Sequence, residues 1–326
     1  MKAIVQDVYG PAEVLRLRDV EQPRIGGDEV LVRVRAAGVD PGVWIVMTGR
    51  PPAVRLMGFG LRRPRVPVRG RDLAGVVEAV GARVTRFRPG DEVHGTCESG
   101  SYAEYAAAPE RLLARKPAGL SFEEAAVVPV SGTTAFQAVR DTGRVRPGQR
   151  VMVTGAGGGI GTFAVQIAKA LGATVTAVCG PGKADLVRSL GADDVIDYTR
   201  DEVDRDGPRH DVIIDVAGCR PLSLLRRALT PRGTLVLAGG GHDAPGPLGG
   251  YTRALLWRPL VQITTKQRLR GHTAREGAED LARLDRLIES GAVRPVVGRA
   301  YPLAETPEAI RHLAEGHPTG KIVVTV

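Results

Sequence analysis

Val30, Val32 and Val34 recur at every second position of "EVLVRVRAAGV" and so share one face, a pattern that predicts a strand with one buried side. "DLAGVVEAVG" and "GDEVHGTC" predict further strands bounded by Gly and Pro, so residues 1–125 read as a β-rich domain. From residue 126 the period changes. Val151–Thr154 predicts a strand, and Ile160, Phe163, Ala164, Ile167, Ala168 and Leu171 then fall on one helical face before Gly172 stops the helix. A strand over Thr174–Val178 and a helix over Pro181–Leu190 follow. The continuous apolar run Asp211–Gly218 suits a central parallel strand, Leu222–Leu229 is helical, and Gly233–Gly240 is a second buried strand. This alternation predicts an α/β fold with a doubly wound parallel sheet over 126–271. Leu281, Leu284, Leu287 and Ile288 mark a later helix. With the strands "PVVGRAYPL" and "KIVVTV", it predicts that residues 272–326 return to the first domain.

Composition narrows the class. The 326 residues are 43% hydrophobic and 25% charged, which fits a globular chain, and only 4% aromatic, so aliphatic side chains fill the core. No apolar run approaches the roughly 20 residues that span a bilayer. The opening "MKAIVQDVYG" is unlike a secretory signal, so a cytoplasmic protein with no membrane role is expected. The three cysteines stand far apart, without disulfide or zinc-ribbon spacing. A net charge of +9 raises nucleic acid as a partner, but the arginines are scattered and RNA or DNA is not expected as the main one.

The candidate chemistry lies in "VTGAGGGIG". A glycine-rich turn between a parallel strand and a helix lets backbone N–H groups approach a pyrophosphate. The fingerprint fits as Ala156-x-Gly158-x-x-Gly161, with Ala in place of the usual first Gly, so the backbone from Gly155 through Gly159 and Ile160 to Gly161 is the expected dinucleotide cradle. In NAD-binding domains an acid near the end of the next strand holds the ribose hydroxyls. Here Val178, Cys179, Gly180, Pro181, Gly182 and Lys183 offer no carboxylate, and Asp185 lies too far into the helix. Cys179 and Gly180 then border the adenosine, and Lys183 reads the 2′-phosphate of NADPH; the bland alternative is a surface lysine.

Seven segments in order resemble the medium-chain dehydrogenase/reductase superfamily, in its zinc-free, quinone-oxidoreductase-like (zeta-crystallin-like) branch. They are Ala36–Trp44, Gly70–Gly81, Phe87–Gly95, Ser131–Val139, the glycine loop, Leu190–Tyr198 and Glu315–Val324. The resemblance covers the whole chain. It implies a GroES-like catalytic domain (1–125, completed by 272–326), a Rossmann cofactor domain (126–271) and a cleft between them where hydride moves, commonly in a homodimer. It implies Thr134 beside the nicotinamide, Tyr198 beside the 2′-phosphate, Ala217 and Ala238–Gly240 (with Gly239) bordering the dinucleotide, and Lys321 nearby. Where zinc-dependent relatives place metal ligands, this chain has Asp40, Arg71, Asp72 and Val130 or Ser131, a set that opposes zinc.

The branch implies hydride transfer from NADPH to an electron-poor quinone or α,β-unsaturated carbonyl. Asp40 either donates a proton to the developing oxyanion or caps the turn at Pro41–Gly42. Trp44 lines the acceptor pocket or packs in the core. Arg71 either serves the site or pairs with Asp72. Arg50 stands where enoyl-thioester reductases carry a tyrosine, and residues 50–66 form a basic loop that either shapes acceptor choice or is only solvated. The alternatives are a metal-free alcohol/carbonyl oxidoreductase and a non-catalytic NADPH-binding sensor or RNA-binding protein on the same fold.

Overall fold

The structure, a computed structural model, describes residues 1–326 except 51, 53, 240–264 and 317. Two compact units are present. Unit 1 comprises Met1–Ser131, Glu276–Glu289 and Pro295–Val326; unit 2 comprises Gly132–Arg275 and Ser290–Arg294.

Elements are numbered in chain order. β1 (Lys2–Val5) pairs antiparallel with β2 (Arg16–Asp19). β3 (Glu29–Val39) carries the alternation read from the sequence: Val30, Val32 and Val34 are buried while Arg33 and Arg35 are exposed. Its second half, Ala36–Val39, is buried on both sides because neighbours cover both faces there. α1 (Pro41–Thr48) follows, then β4 (Asp72–Val80), β5 (Glu92–Thr96), β6 (Tyr105–Pro109), β7 (Leu113–Arg115) and α2 (Phe122–Ala126). Ser121 caps α2 in a reciprocal box with Glu124.

After α3 (Pro129–Gln137), unit 2 alternates strand and helix. β8 (Arg150–Thr154) leads through the glycine loop into α4 (Gly159–Ala170), whose Phe163, Ala164, Ile167 and Ala168 are buried as the periodicity requires. β9 (Thr174–Cys179), α5 (Ala184–Ser189), β10 (Asp194–Asp197), β11 (His210–Asp215), α6 (Leu222–Arg227), β12 (Leu229–Leu237) and β13 (Arg268–Gly271) complete it. The sheet order is β10-β9-β8-β11-β12-β13, all parallel. The order reverses beside β8, and the crevice at the carboxyl ends of β8 and β11 is where such sheets bind ligands.

Two boundaries differ from the sequence reading. The expected helix over Pro181–Leu190 is a 3-10 turn at Pro181–Lys183 and then α5, because Lys183 leaves the helical region (φ −117°, ψ 1°). β12 begins at Leu229; Pro231 and Gly233 hide its start in the sequence.

α7 (Ala278–Glu289), β14 (Val297–Pro302), α8 (Thr306–Ala314) and β15 (Lys321–Thr325) belong to unit 1. β15 pairs antiparallel with β3, giving the seven-stranded sheet β14-β15-β3-β4-β5-β7 with β6 also on β3. Ile4, Met47, Leu73, Tyr102 and Val324 lie in its core.

Candidate active site

The glycine loop in unit 2 owes its shape to close approach. Gly155 has φ +64°, the left-handed region that favours glycine. A Cβ on Gly161 would lie 2.1 Å from the Gly155 carbonyl oxygen, so only glycine lets α4 start this close to β8. Thr162 N–H, bonded to Gly158 O at 3.0 Å, is the first amide of α4 with a helical acceptor. The amides of Gly159, Ile160 and Gly161 precede it and point out of the helix start, where an anion is favoured. Ala156 serves differently from expectation. It is fully buried and its N–H is bonded to Val178 O at 3.1 Å, so its amide braces the loop against β9.

A pair that sequence reasoning missed fixes the opposite wall. The Thr154 hydroxyl donates to Asp215 Oδ1 at 2.5 Å and accepts from Val216 N–H and Ala217 N–H at 3.1 and 3.2 Å. Asp215 Oδ1 also accepts from Gly218 N–H at 3.3 Å, and burial raises the pKa of this carboxyl. The signal was present, since a Thr and an Asp close the two strands flanking the switch point. Ala217 touches the loop, its amide nitrogen being 3.2 Å from a Cβ built on Gly155. Ala238 and Gly239 follow β12, with Ala238 N–H on Asp215 O at 2.9 Å. Gly240 lies outside the described residues.

Lys183 lies along the loop: a Cβ on Gly157 would be 2.6 Å from its Cδ. Burial lowers its pKa, opposed by the nearby Cys179. Burial also raises the Cys179 thiol, which is 3% exposed at the end of β9. Tyr198 is 40% exposed, and its hydroxyl would meet a Cβ on Gly180 at 3.4 Å. Arg220, which the sequence did not flag, holds its guanidinium 5.9 Å from the Tyr198 ring centroid. Asp197, opposite Cys179 on β10, is engaged by the Thr199 amide and hydroxyl at 2.9 and 2.8 Å. Thr134 is buried in α3.

Unit 1 holds a second polar cluster. Asp40 caps α1, with Oδ1 accepting from Gly42 N–H at 2.8 Å, while its buried Oδ2 has no hydrogen-bond partner. Arg71 and Asp72 do not pair with each other. Arg71 clasps Glu276 (Nε to Oε1 2.5 Å, Nη2 to Oε2 2.7 Å), and the Thr96 hydroxyl donates to Glu276 Oε2 at 2.8 Å. The fully buried Asp72 pairs with Lys321 and accepts from Val130 N–H at 2.9 Å. Lys321, expected near the dinucleotide, is 3% exposed and committed to this carboxylate, because β15 places it beside the start of β4. Burial pushes the Asp72 carboxyl up to about 6, with Lys321 opposing and Asp40 reinforcing. Burial, Asp40 and Asp72 together raise Tyr102 well above the usual phenol value, and burial takes Cys97 to about 12. Trp44 is half-buried and packs against the unit 1 core.

Comparison with known proteins places this geometry. The family model for the alcohol dehydrogenase GroES-like domain matches residues 26–133, and that for zinc-binding dehydrogenase matches 190–324. A quinone oxidoreductase of Pseudomonas aeruginosa is 35% identical over 333 residues, covering 99% of each chain. The chain belongs to the medium-chain dehydrogenase/reductase superfamily, in its quinone oxidoreductase-like branch. It is an oxidoreductase of that type. Among solved structures, an NAD-dependent alcohol dehydrogenase is 32% identical with TM-score 0.85, covering all of both chains. A mycobacterial protein solved with NADPH is 28% identical with TM-score 0.83, again covering both completely. No helix among the described residues is long and apolar enough to cross a membrane.

Proposed function

We propose that this oxidoreductase takes hydride from NADPH, without a metal, and delivers it to a quinone or α,β-unsaturated carbonyl. The cradle carries the coenzyme half of this reading: a side chain on Gly161 would collide with the Gly155 carbonyl, and three amides of α4 lie free of helical acceptors beside it. When bound, reduced nicotinamide supplies the hydride. Gly159–Gly161 would hold the pyrophosphate. Lys183, Tyr198 and Arg220 would receive the 2′-phosphate, where an acid selecting the free ribose is absent from residues 178–183. The structural neighbour holding NADPH supports the same choice.

The donor set in unit 1 does not suit zinc. Arg71 is a cation bound to Glu276, and Asp72 is committed to Lys321. Among the described residues no three His, Cys, Asp or Glu side chains are grouped to hold a metal. Arg71 is the group offered to an acceptor oxygen as charge develops on it, and Asp40, whose Oδ2 is buried and unbonded, would join it only as a protonated carboxyl that gives up its proton. A second reading, a metal-free alcohol/carbonyl oxidoreductase, draws on the likeness to the alcohol dehydrogenase.

Calorimetric titration with NADPH and NADH tests the coenzyme half. Lys183→Ala is expected to weaken NADPH about tenfold while changing NADH little, the worth of one charge-assisted contact. Equal losses for both coenzymes would remove Lys183 from phosphate recognition. Reduction of ketones but not of quinones or enones would favour the second reading.

A further inference from the structure

Among the described residues, six of the eight exposed large apolar side chains fall in three segments of unit 1: Val8, then Ile45 of α1, then Leu56, Phe59, Leu61 and Val66. Leu56 and Leu61 are 76% and 65% exposed. Single exposed apolar residues are ordinary, but a cluster of them marks an interaction surface. Hydrogen bonds gather the three segments. The Tyr9 hydroxyl donates to Phe59 O and Gly60 O at 2.9 and 2.6 Å, and Arg55 Nε donates to Gly49 O, at the end of α1, at 3.1 Å. Gln6 Nε2 donates to Val8 O and Met47 O at 2.8 and 2.6 Å. Arg65 N–H donates to Phe59 O at 2.8 Å, and Gln6 N–H donates to Pro67 O at 2.9 Å, so the third segment folds back beside the first.

Charge frames this apolar surface. Between Asp40 and Asp72 the chain holds seven arginines and no acid. Arg50, Arg62, Arg63 and Arg65 are exposed and form no ion pair among the described residues. Asp7, the acid next to Val8, is taken by Arg18 at 2.8 Å. An apolar centre with an unneutralised basic rim fits a partner that is anionic at its surface and apolar beneath. A second copy of the same face would set arginines against arginines. Nucleic acid calls for rings on which bases stack, and of the six apolar side chains only Phe59 is aromatic. A lipid bilayer meets both demands: leucine and phenylalanine reach the acyl boundary while arginines bond the headgroup phosphates.

We propose that this face of unit 1 docks on the surface of an anionic lipid bilayer. The sequence reading excluded a membrane role because no apolar run spans a bilayer, but docking on the surface needs no span. α1 links the face to the polar cluster of unit 1, since Ile45 lies five positions after Asp40, about 8 Å along the helix. The acceptor class narrows to quinones or enones with an apolar tail that partition into the bilayer. That narrowing rests on the proposed reaction; the docking does not.

Flotation of the full chain with phosphatidylserine–phosphatidylcholine vesicles tests it, with phosphatidylcholine vesicles as the neutral control. The native chain is expected to float with the anionic vesicles only, and to release as salt rises from about 0.1 M to about 1 M. Leu56→Ser with Leu61→Ser keeps the net charge and, at exposed positions, the fold; it should lower the partition coefficient about tenfold or more. Arg62→Gln with Arg63→Gln should lower it about twentyfold, close to fivefold for each arginine. Arg146→Gln with Arg232→Gln removes the same charge from exposed positions of unit 2 and should change it little. In turnover, the leucine variant should keep the native rate with para-benzoquinone in water and lose about tenfold with a long-chain quinone held in the anionic vesicles. No flotation of the native chain, undiminished flotation of the leucine variant, or equal losses from the two arginine pairs would overturn the docking face. So would a dimer or a nucleic-acid complex that the leucine substitutions split while vesicles are ignored. Leucine-dependent flotation with no acceptor reduced at all would keep the docking face and sink the proposed reaction.

Discussion

Arg71 and Glu276 face each other as a two-nitrogen, two-oxygen clasp, 205 positions apart in the chain. Both are partly exposed, and Thr96 steadies the carboxylate from behind. The clasp fixes the guanidinium plane, which a loose surface arginine lacks. Glu276→Ala is therefore expected to lower kcat/KM about tenfold, near the worth of one hydrogen bond to a charged group, with Glu276→Gln recovering part of the loss. Steady-state kinetics beside a thermal melt decides it. A lower melting temperature with unchanged kinetics would make the clasp a structural pair only.

Asp40 has one oxygen engaged by Gly42 N–H and one buried and unbonded. Asparagine keeps the capping oxygen but has no acidic proton, so Asp40→Asn separates the two roles that the sequence left open. If the carboxyl protonates the acceptor, enone reduction should slow at least about a hundredfold, the low end for general acid catalysis, with stability within about 1 kcal/mol of the native chain. Quinone reduction, which needs less acid help, should slow less. Equal rates for the native chain and the variant on both acceptors would leave Asp40 as a cap.

A methyl group on Gly161 would collide with the Gly155 carbonyl. Gly161→Ala must push α4 away from β8, an overpacking cost of about 1–3 kcal/mol. It would also displace the three amides proposed to hold the pyrophosphate. Coenzyme affinity by calorimetry is expected to fall about tenfold or more for NADPH and NADH alike, since both carry that group. Unchanged affinity would place the coenzyme elsewhere.

His210, 2% exposed at the start of β11, sets a pH limit on unit 2. Its Nδ1 faces Ala228 O at 3.2 Å and so carries the proton, while Nε2 accepts from the Thr176 hydroxyl at 3.3 Å. Burial lowers its pKa below the ordinary 6.5, against the pull of the Ala228 carbonyl. Between the lowered value and 6.5 the unfolded chain binds more protons than the folded one, so stability falls as pH drops through that window. Urea melts at about pH 7 and about pH 5 should show this loss, and His210→Gln should shrink it. An undiminished loss in the variant would assign the acid sensitivity to other groups.

Local features were legible in the sequence because they follow from period and spacing. The buried face of α4, the apolar run of β11 and the glycine loop each occupy a short window. The partners of the polar residues were not. Glu276 reaches Arg71, and Lys321 reaches Asp72 across 249 positions, through sheet pairing that no local pattern encodes. The adjacency of Arg71 and Asp72 suggested a pair, but on β4 and the segment before it they find separate partners. Arg220 escaped notice for a related reason, since its place beside Tyr198 depends on how β10 and β11 are ordered around β8.

The central claim is metal-independent hydride delivery from NADPH to a quinone-type acceptor. Anaerobic stopped-flow mixing of the full chain, NADPH and para-benzoquinone after exhaustive dialysis against a chelator tests it most directly, with coenzyme oxidation and hydroquinone formation followed together. One hydroquinone should form per coenzyme oxidised, at a rate that dialysis does not change. Loss of that rate on dialysis with recovery on added zinc, or NADPH binding with no hydroquinone formed, would contradict it.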